Sequence, residues 1–203
     1  MAINDNALVV PGSGTLFIAP KNTPMPATGL SAFTLTGTAP EGWTNIGHTS
    51  TSETFAFAKE GGEATNLPTW IKSIARTVYS AVSWTLTGTS LQVDKTVFDL
   101  AFNGWLNDTN KSYVVPSAIK GKEVALFLLA TDATGGLGFY MPNASTSLGE
   151  APTIDVENFF GVQIVASIGS ADASAIPAGP DGTPGLMEVF GPVAFEEVAP
   201  VQA

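Results

Sequence analysis

The acid–base chemistry open to this chain turns on a single imidazole. His48 is the only histidine in 203 residues and sits in Gly42–Ser50, GWTNIGHTS, beside Asn45, Thr49 and Ser50. A hydrolytic triad needs a nucleophile, a base and an orienting acid. No G-x-S-x-G segment presents a serine to His48, and its neighbours are ordinary strand and turn residues. The histidine therefore reads as a polar residue at a strand end. Cysteine is absent, which removes thiolate nucleophiles, disulfides and cysteine–zinc sites together. Paired carboxylates remain: Asp155 with Glu157, and Glu60 with Glu63. Such pairs are commonplace on the wet face of a strand or beside a turn. No D-x-D-x-D-G loop supports calcium at Asp155 and Glu157, and the glycines of Gly135–Tyr140, GGLGFY, lack a phosphate-binding lysine. The reading is no enzyme, no metal and no cofactor.

The elements around these residues are mainly β. Gly, Pro, Thr and Ser are abundant and charged residues make up only 13%, a composition that suits many strands and turns. Thr77–Thr87 alternates with period two: Val78, Val82, Trp84 and Leu86 on one face, Thr77, Tyr79, Ser83, Thr85 and Thr87 on the other. Ile154–Gly169 repeats the pattern over sixteen residues, with Ile154, Val156, Phe160, Val162, Ile164 and Ile168 opposite Asp155, Glu157, Gln163 and Ser167. Further strands are expected at TLFIAP, GWTNIGHT, SETFAFA and GLMEVFGPVAFEEV, the last interrupted at Gly191-Pro192. A hairpin is expected in Gly121–Pro142, turning around Thr134–Gly136, and a turn at Lys59–Gly62. One segment has helical spacing: Val97, Phe98, Ala101, Phe102 and Trp105 within about 94–106, capped by Asp94 and stopped at Asn103-Gly104. Gly169–Gly185 reads as a long loop.

Charge is unevenly placed. Residues 1–120 carry eight acids and seven bases; residues 121–203 carry ten acids and one base, Lys122. Nucleic-acid binding rests on cations that displace counterions, so this surface is not built to hold DNA. A surface that repels phosphate does allow DNA to pass. The chain holds no apolar run of membrane-spanning length, and its N-terminus lacks the basic and apolar regions of a signal peptide, so a soluble protein is expected.

The order of motifs points further. Gly42, Trp43, Gly47, His48 and Thr49 precede Gly61-Gly62, then Trp70 and Arg76, then Leu91, Gln92 and Asp94 at the helix start. This order, over roughly residues 40–106, resembles the major tail proteins of long-tailed bacteriophages, most closely those of actinobacteriophages. The resemblance implies an antiparallel β-sandwich or barrel of the tail tube type with one flanking helix. It implies a single domain over 1–203, with an extended segment at about 1–15 and a flexible loop and C-terminal extension at about 170–203. Members often carry an appended immunoglobulin-like domain, for which 203 residues leave no room. The resemblance also implies six-membered rings, stacked into a tube that conducts the genome and meets tape-measure, initiator and terminator proteins. It places the protein in the virion tail, after synthesis in the host cytoplasm, with no membrane insertion.

On that reading the wet-face residues Asp155, Glu157, Gln163, Thr77, Ser83 and Thr85 are candidates for lining the lumen. Glu60, Glu63, Trp70, Lys72 and Arg76 are candidates for a loop that reaches the adjacent ring. A carbohydrate- or receptor-binding β-sandwich is the alternative, and would need several aromatics on one exposed face. If Asp155 and Glu157 line the lumen, replacing both with lysine permits assembly but slows DNA passage. Normal infectivity of phage carrying both changes removes them from the channel.

Overall fold

The computed structural model describes residues 4–132 and 135–195. In chain order the strands are β1 Ser13–Pro20, β2 Thr44–Asn45, β3 Ala56–Gly61, β4 Ala64–Leu67, β5 Arg76–Tyr79 and β6 Val82–Ser90. The helix α1, Lys95–Phe102, follows. Then come β7 Trp105–Asn107, β8 Ser112–Val114, β9 Lys122–Thr131, β10 Gly136–Leu148, β11 Val162–Ile168 and β12 Glu188–Phe190. The main sheet is antiparallel, in the order β2-β1-β9-β10-β11-β6-β3, with β12 also paired to β10. Two ribbons, β4–β5 and β7–β8, stand apart from it. The expected β-sandwich with one helix is the fold observed.

The central strands are buried on both faces. Leu16, Val124, Leu126 and Leu128 point to one side, where Leu86, Met141, Ile164 and the helix residues Val97 and Leu100 complete a core. Phe17, Ala125, Phe127 and Leu129 point to the other, against Phe33, Trp43, Tyr140 and Ile176. This two-sided burial explains why Val124–Ala130 reads as a continuous apolar run rather than an alternating one. The second core is aromatic: Phe33 stacks on Phe127 at 4.1 Å and meets Phe17 and Trp43 edge-on at 4.9 and 5.3 Å. In β10 the register with β9 slips between Met141 and Ala144. Pro142 cannot donate a ladder hydrogen bond, so a bulge accommodates it.

The helix is capped as its sequence predicts. Asp94 Oδ1 accepts the Val97 N–H at 3.0 Å, and Asn103 closes the other end in the left-handed region, φ 49°. It stops at Phe102; Trp105 and Leu106 turn outward into β7 instead of continuing the apolar stripe. Asp99 fastens the helix end. Its carboxylate accepts hydrogen bonds from Lys95, from the Tyr113 hydroxyl at 2.9 Å and from Lys122 at 3.2 Å. Burial pushes the Asp99 carboxyl up, but these three donors outweigh it and hold it below its ordinary range. Burial, with Asp99 beside it, pushes Tyr113 up to about 12.

Two long strands expected from alternation are shorter in the molecule. Thr77–Thr87 is divided between β5 and β6 at Ser80-Ala81. The pairing of β3 with β6 ends at Gly61↔Val82 and resumes as Ala64↔Tyr79, so two residues on each side form a bend. The turn expected at Lys59–Gly62 is not there: Lys59, Glu60 and Gly61 are paired in β3, and the chain bends at Gly62-Glu63, just past them, with Gly61 and Gly62 both at positive φ. Ile154–Gly169 is strand only from Val162. Val162 already lies opposite Ser90, where β6 ends, so earlier residues have no strand to pair with. Asp155 instead caps a local turn, Oδ1 accepting the Glu157 N–H at 3.0 Å. The 121–142 hairpin is present as β9–β10; Thr134, in its expected turn, lies outside the described residues. No strand or helix interrupts the expected loop Gly169–Gly185.

The segment Trp43–Ser50 ties the curled sheet together. Thr44 and Asn45 pair with β1, and the Ile46 N–H donates to Leu16. A few residues on, Leu91 N–H donates to His48 O and Ser50 N–H to Thr89 O, both at 2.9 Å. One strap thus bonds to β1 at one side of the sheet and to the end of β6 at the other. Gly47 makes its corner at φ 83°, where an added Cβ would lie 2.6 Å from Gln92 Oε1. Gly47→Ala is expected to cost about 1–3 kcal/mol through left-handed strain and this clash, read as a lower midpoint in denaturant.

Two tyrosines tie stability to alkaline pH. Tyr113 and Tyr140 are both raised from 10.0 to about 12, each first by burial. Their contribution to stability is complete below pH 10 and is lost as pH rises from 10 to 12. Asp99 has the opposite sign: its contribution is present above the ordinary value of 3.8 and is lost as pH falls below it. Urea midpoints across pH should fall on both limbs, and Tyr113→Phe should make the alkaline limb shallower.

Candidate assembly surfaces

The expected site residues separate into three places. Ser83, Thr85 and Gln163 converge on one face of the sheet. Cross-strand partners share a face, so the register Ser83↔Glu60, Thr85↔Ser167 and Gln163↔Thr89 aligns them. The neighbours on this face are Ala56, Ala58, Thr87, Val165, Ser145, Ser147 and Glu123. It is a field of small side chains and hydroxyls over β3, β6, β11 and β10, with two carboxylates, Glu60 and Glu123. Lys21 reaches Glu123 at 3.0 Å. Gln163 is partly committed, its Oε1 accepting the Glu150 N–H at 2.9 Å.

Glu63, Trp70, Lys72, Arg76 and Thr77 share a second place, the β4–β5 ribbon, which continues β3 and β6 past the bend. Ser80 clamps that bend. Its Oγ accepts the N–H groups of Gly62 and Glu63 at 2.9 and 3.1 Å and donates to Glu63 Oε2 at 2.7 Å. The Ser80 hydroxyl, with backbone N–H help, holds the Glu63 carboxyl below its ordinary range. A Cβ on Gly61 would lie 1.9 Å from Ala81 O, so only glycine allows the strands this close. Every residue of β4 and β5 is exposed. The tip turns between Thr69 and Lys72, leaving Trp70 and Ile71 almost wholly in solvent. Leu67, Ile74, Val78 and Tyr79 are exposed with them. A two-stranded ribbon without a covered face is marginal in water.

Asp155 and Glu157 occupy a third place, the loop 149–161 between β10 and β11, not the wet face of a strand. The loop exposes Ile154, Val156 and Phe159, the first two at 89% and 98%. Periodicity assigned Ile154 and Val156 to the buried face of a strand and left Phe159 out. The signal for the arm was present, in Gly62-Glu63 facing Ser80-Ala81 at one level of a hairpin.

The remaining chemistry stays sparse. His48 is exposed, and its backbone, not its ring, supplies the bonds of the strap. Among the described residues no group of three or more His, Asp or Glu could hold a metal ion, and no helix is long and apolar enough to cross a membrane. The tryptophans form no common exposed platform: Trp43 is buried, Trp84 packs on the first core, and Trp70 and Trp105 are exposed on separate ribbons.

A model of the phage tail tube protein family matches residues 1–177. The chain belongs to the phage tail tube protein family. No curated protein matched the chain in a separate search. Membership makes it a structural protein of the virion tail, part of a tube built with other tail proteins. Such a family is not typically enzymatic.

No residue of the tail tube protein's arm, 64–79, belongs to either core, so its removal is expected to leave the fold intact. Joining Glu63 to Ser80 through Asn-Gly, without residues 64–79, should leave the unfolding free energy within about 0.5 kcal/mol of the parent. Matched urea titrations of the two proteins check this.

Proposed function

We propose that this tail tube protein self-assembles into stacked, six-membered rings and that the hydroxyl-rich face of β3, β6, β11 and β10 lines the channel through which the genome leaves. The observation that carries this is the face itself. It is wide and rich in small side chains, with Ser83, Ser145, Ser167, Glu60 and Glu123 exposed and Thr85, Thr87 and Gln163 half-buried among them. A wall with few cations gives phosphate nothing to bind, and small polar side chains keep it wet. Gln163 belongs to this wall, at its edge. Thr77, on the arm, does not.

The arm is the inter-ring contact: Glu63, Trp70, Lys72 and Arg76 lie along it, and Glu60 sits at its root. The free edge of β3, paired only to β6 among the described residues, supplies a place for strand addition between neighbours. The single domain, its N-terminal segment and its C-terminal extension are part of the same reading. So are tape-measure, initiator and terminator proteins as partners, synthesis in the host cytoplasm, and closeness to actinobacteriophage tails.

Purified protein imaged by negative stain across a concentration series should give hollow striated tubes or six-fold rings. The arm-deleted variant should give rings or monomers but no tubes. Tubes of normal length from that variant would remove the arm from the inter-ring contact.

A further inference from the structure

Two exposed apolar surfaces on this subunit match each other. Beyond Glu63 at its root, the arm carries Leu67, Trp70, Ile71 and Ile74, with Lys72 and Arg76 as its charges; no acid occurs from residue 64 to residue 93. The loop 149–161 carries Ile154, Val156 and Phe159 with Glu150, Asp155 and Glu157, and no base. Exposed apolar groups of this size, beside opposite charges, are the makings of a protein contact.

Their placement decides which contact. The arm leaves the sheet at the Gly61↔Val82 end of β6. The loop enters the sheet at the other end, where Val162 lies opposite Ser90. Nine-residue β6, roughly 30 Å long at 3.3 Å per residue, separates them, so the arm faces away from its own loop. Two complementary surfaces at opposite ends of one subunit form a head-to-tail contact, which propagates along an axis instead of closing a dimer. The arm, from Glu63 to Trp70, adds roughly 25 Å of reach beyond the sheet end.

We infer that the arm of one subunit docks on loop 149–161 of a second copy in the next ring, with Trp70 and Ile71 against Ile154, Val156 and Phe159, and with Lys72 and Arg76 facing Asp155 and Glu157. This rests on the tube reading and gives the arm its receptor. It also assigns Asp155 and Glu157 to a subunit contact instead of the lumen. The Asp155 carboxylate is ready for that role, since Glu157 N–H and the Asn158 amide at 2.7 Å keep it charged and oriented.

The absence of cysteine from the sequence makes the test clean. Ile71→Cys and Val156→Cys are introduced singly and together, tubes are confirmed by microscopy, and a mild thiol oxidant is added. The double variant should give a ladder of covalent dimers, trimers and longer chains on a denaturing gel, while each single variant stops at background. Tubes that form normally but give no ladder overturn this pairing and leave the tube reading standing. Failure of the parent protein to form tubes or rings, alone or in phage lysates, overturns both. As a second measurement, Lys72→Glu with Arg76→Glu, or Asp155→Lys with Glu157→Lys, should each raise the protein concentration needed for tubes about tenfold. The four changes combined should restore it. Unimpaired assembly of the Asp155 and Glu157 pair of changes overturns the contact.

Discussion

The strap from Trp43 to Ser50 is the constraint on which the other features rest. A seven-strand path with a helix on one side and loops on the other has two ends, and without a tie its curl is set only by twist. The strap bonds to β1 through Thr44, Asn45 and Ile46 and to the end of β6 through His48 and Ser50. Its side chains divide between the cores: Trp43 enters the aromatic one and Ile46 the aliphatic one. Asn45 locks the corner, its Oδ1 accepting Thr15 Oγ1 at 2.7 Å and Gly47 N–H at 2.8 Å. Fixing the curl fixes the direction of β6. That in turn sets where the hydroxyl-rich face looks and where the arm points.

From a rigid body of this kind, assembly becomes a question of what is left uncovered. Two apolar cores are buried, yet the arm and loop 149–161 hold large apolar side chains in water. An isolated chain gains nothing from Trp70 or Val156 at these positions, and a bare ribbon is marginally stable. Copies stacked along β6 would cover both. The division of charge follows the same plan. All eight bases lie before residue 123, and residues 64–93 carry bases without acids while loop 149–161 carries acids without bases, so opposite signs are available at opposite ends of one sheet, while the proposed channel wall carries few cations.

Much of this was legible in the sequence, and the exceptions have physical causes. The helix, with Asp94 and Asn103 at its ends, the β9–β10 hairpin and the long loop after Gly169 were readable from spacing and turn residues. The part of His48 in the strap was not readable: its ring is exposed, and the bonds at this position come from its backbone, which leaves no mark in the residue type. Thr77–Thr87 misled because alternation survives a bend: Ser80-Ala81 and Gly62-Glu63 break both strands at one level without disturbing period two. Ile154–Gly169 misled for another reason. Alternation shows that a segment fits a half-buried strand, but pairing needs a partner, and β6 ends at Ser90. Of the expected lumen residues, Ser83, Thr85 and Gln163 fall on one face because they lie on true strands; Asp155 and Glu157 do not. The arm's apolar residues could not be assigned from one chain, because what would bury them is not in it.

The most direct test of the central claim is a cryo-electron microscopy reconstruction of the assembled tube at side-chain resolution. The account predicts six subunits per ring, with Ser83, Thr85 and Ser167 on the channel wall and α1 outside. A tube whose wall is formed by α1 or by the aromatic core side, with the hydroxyl-rich face turned to the exterior, would contradict it.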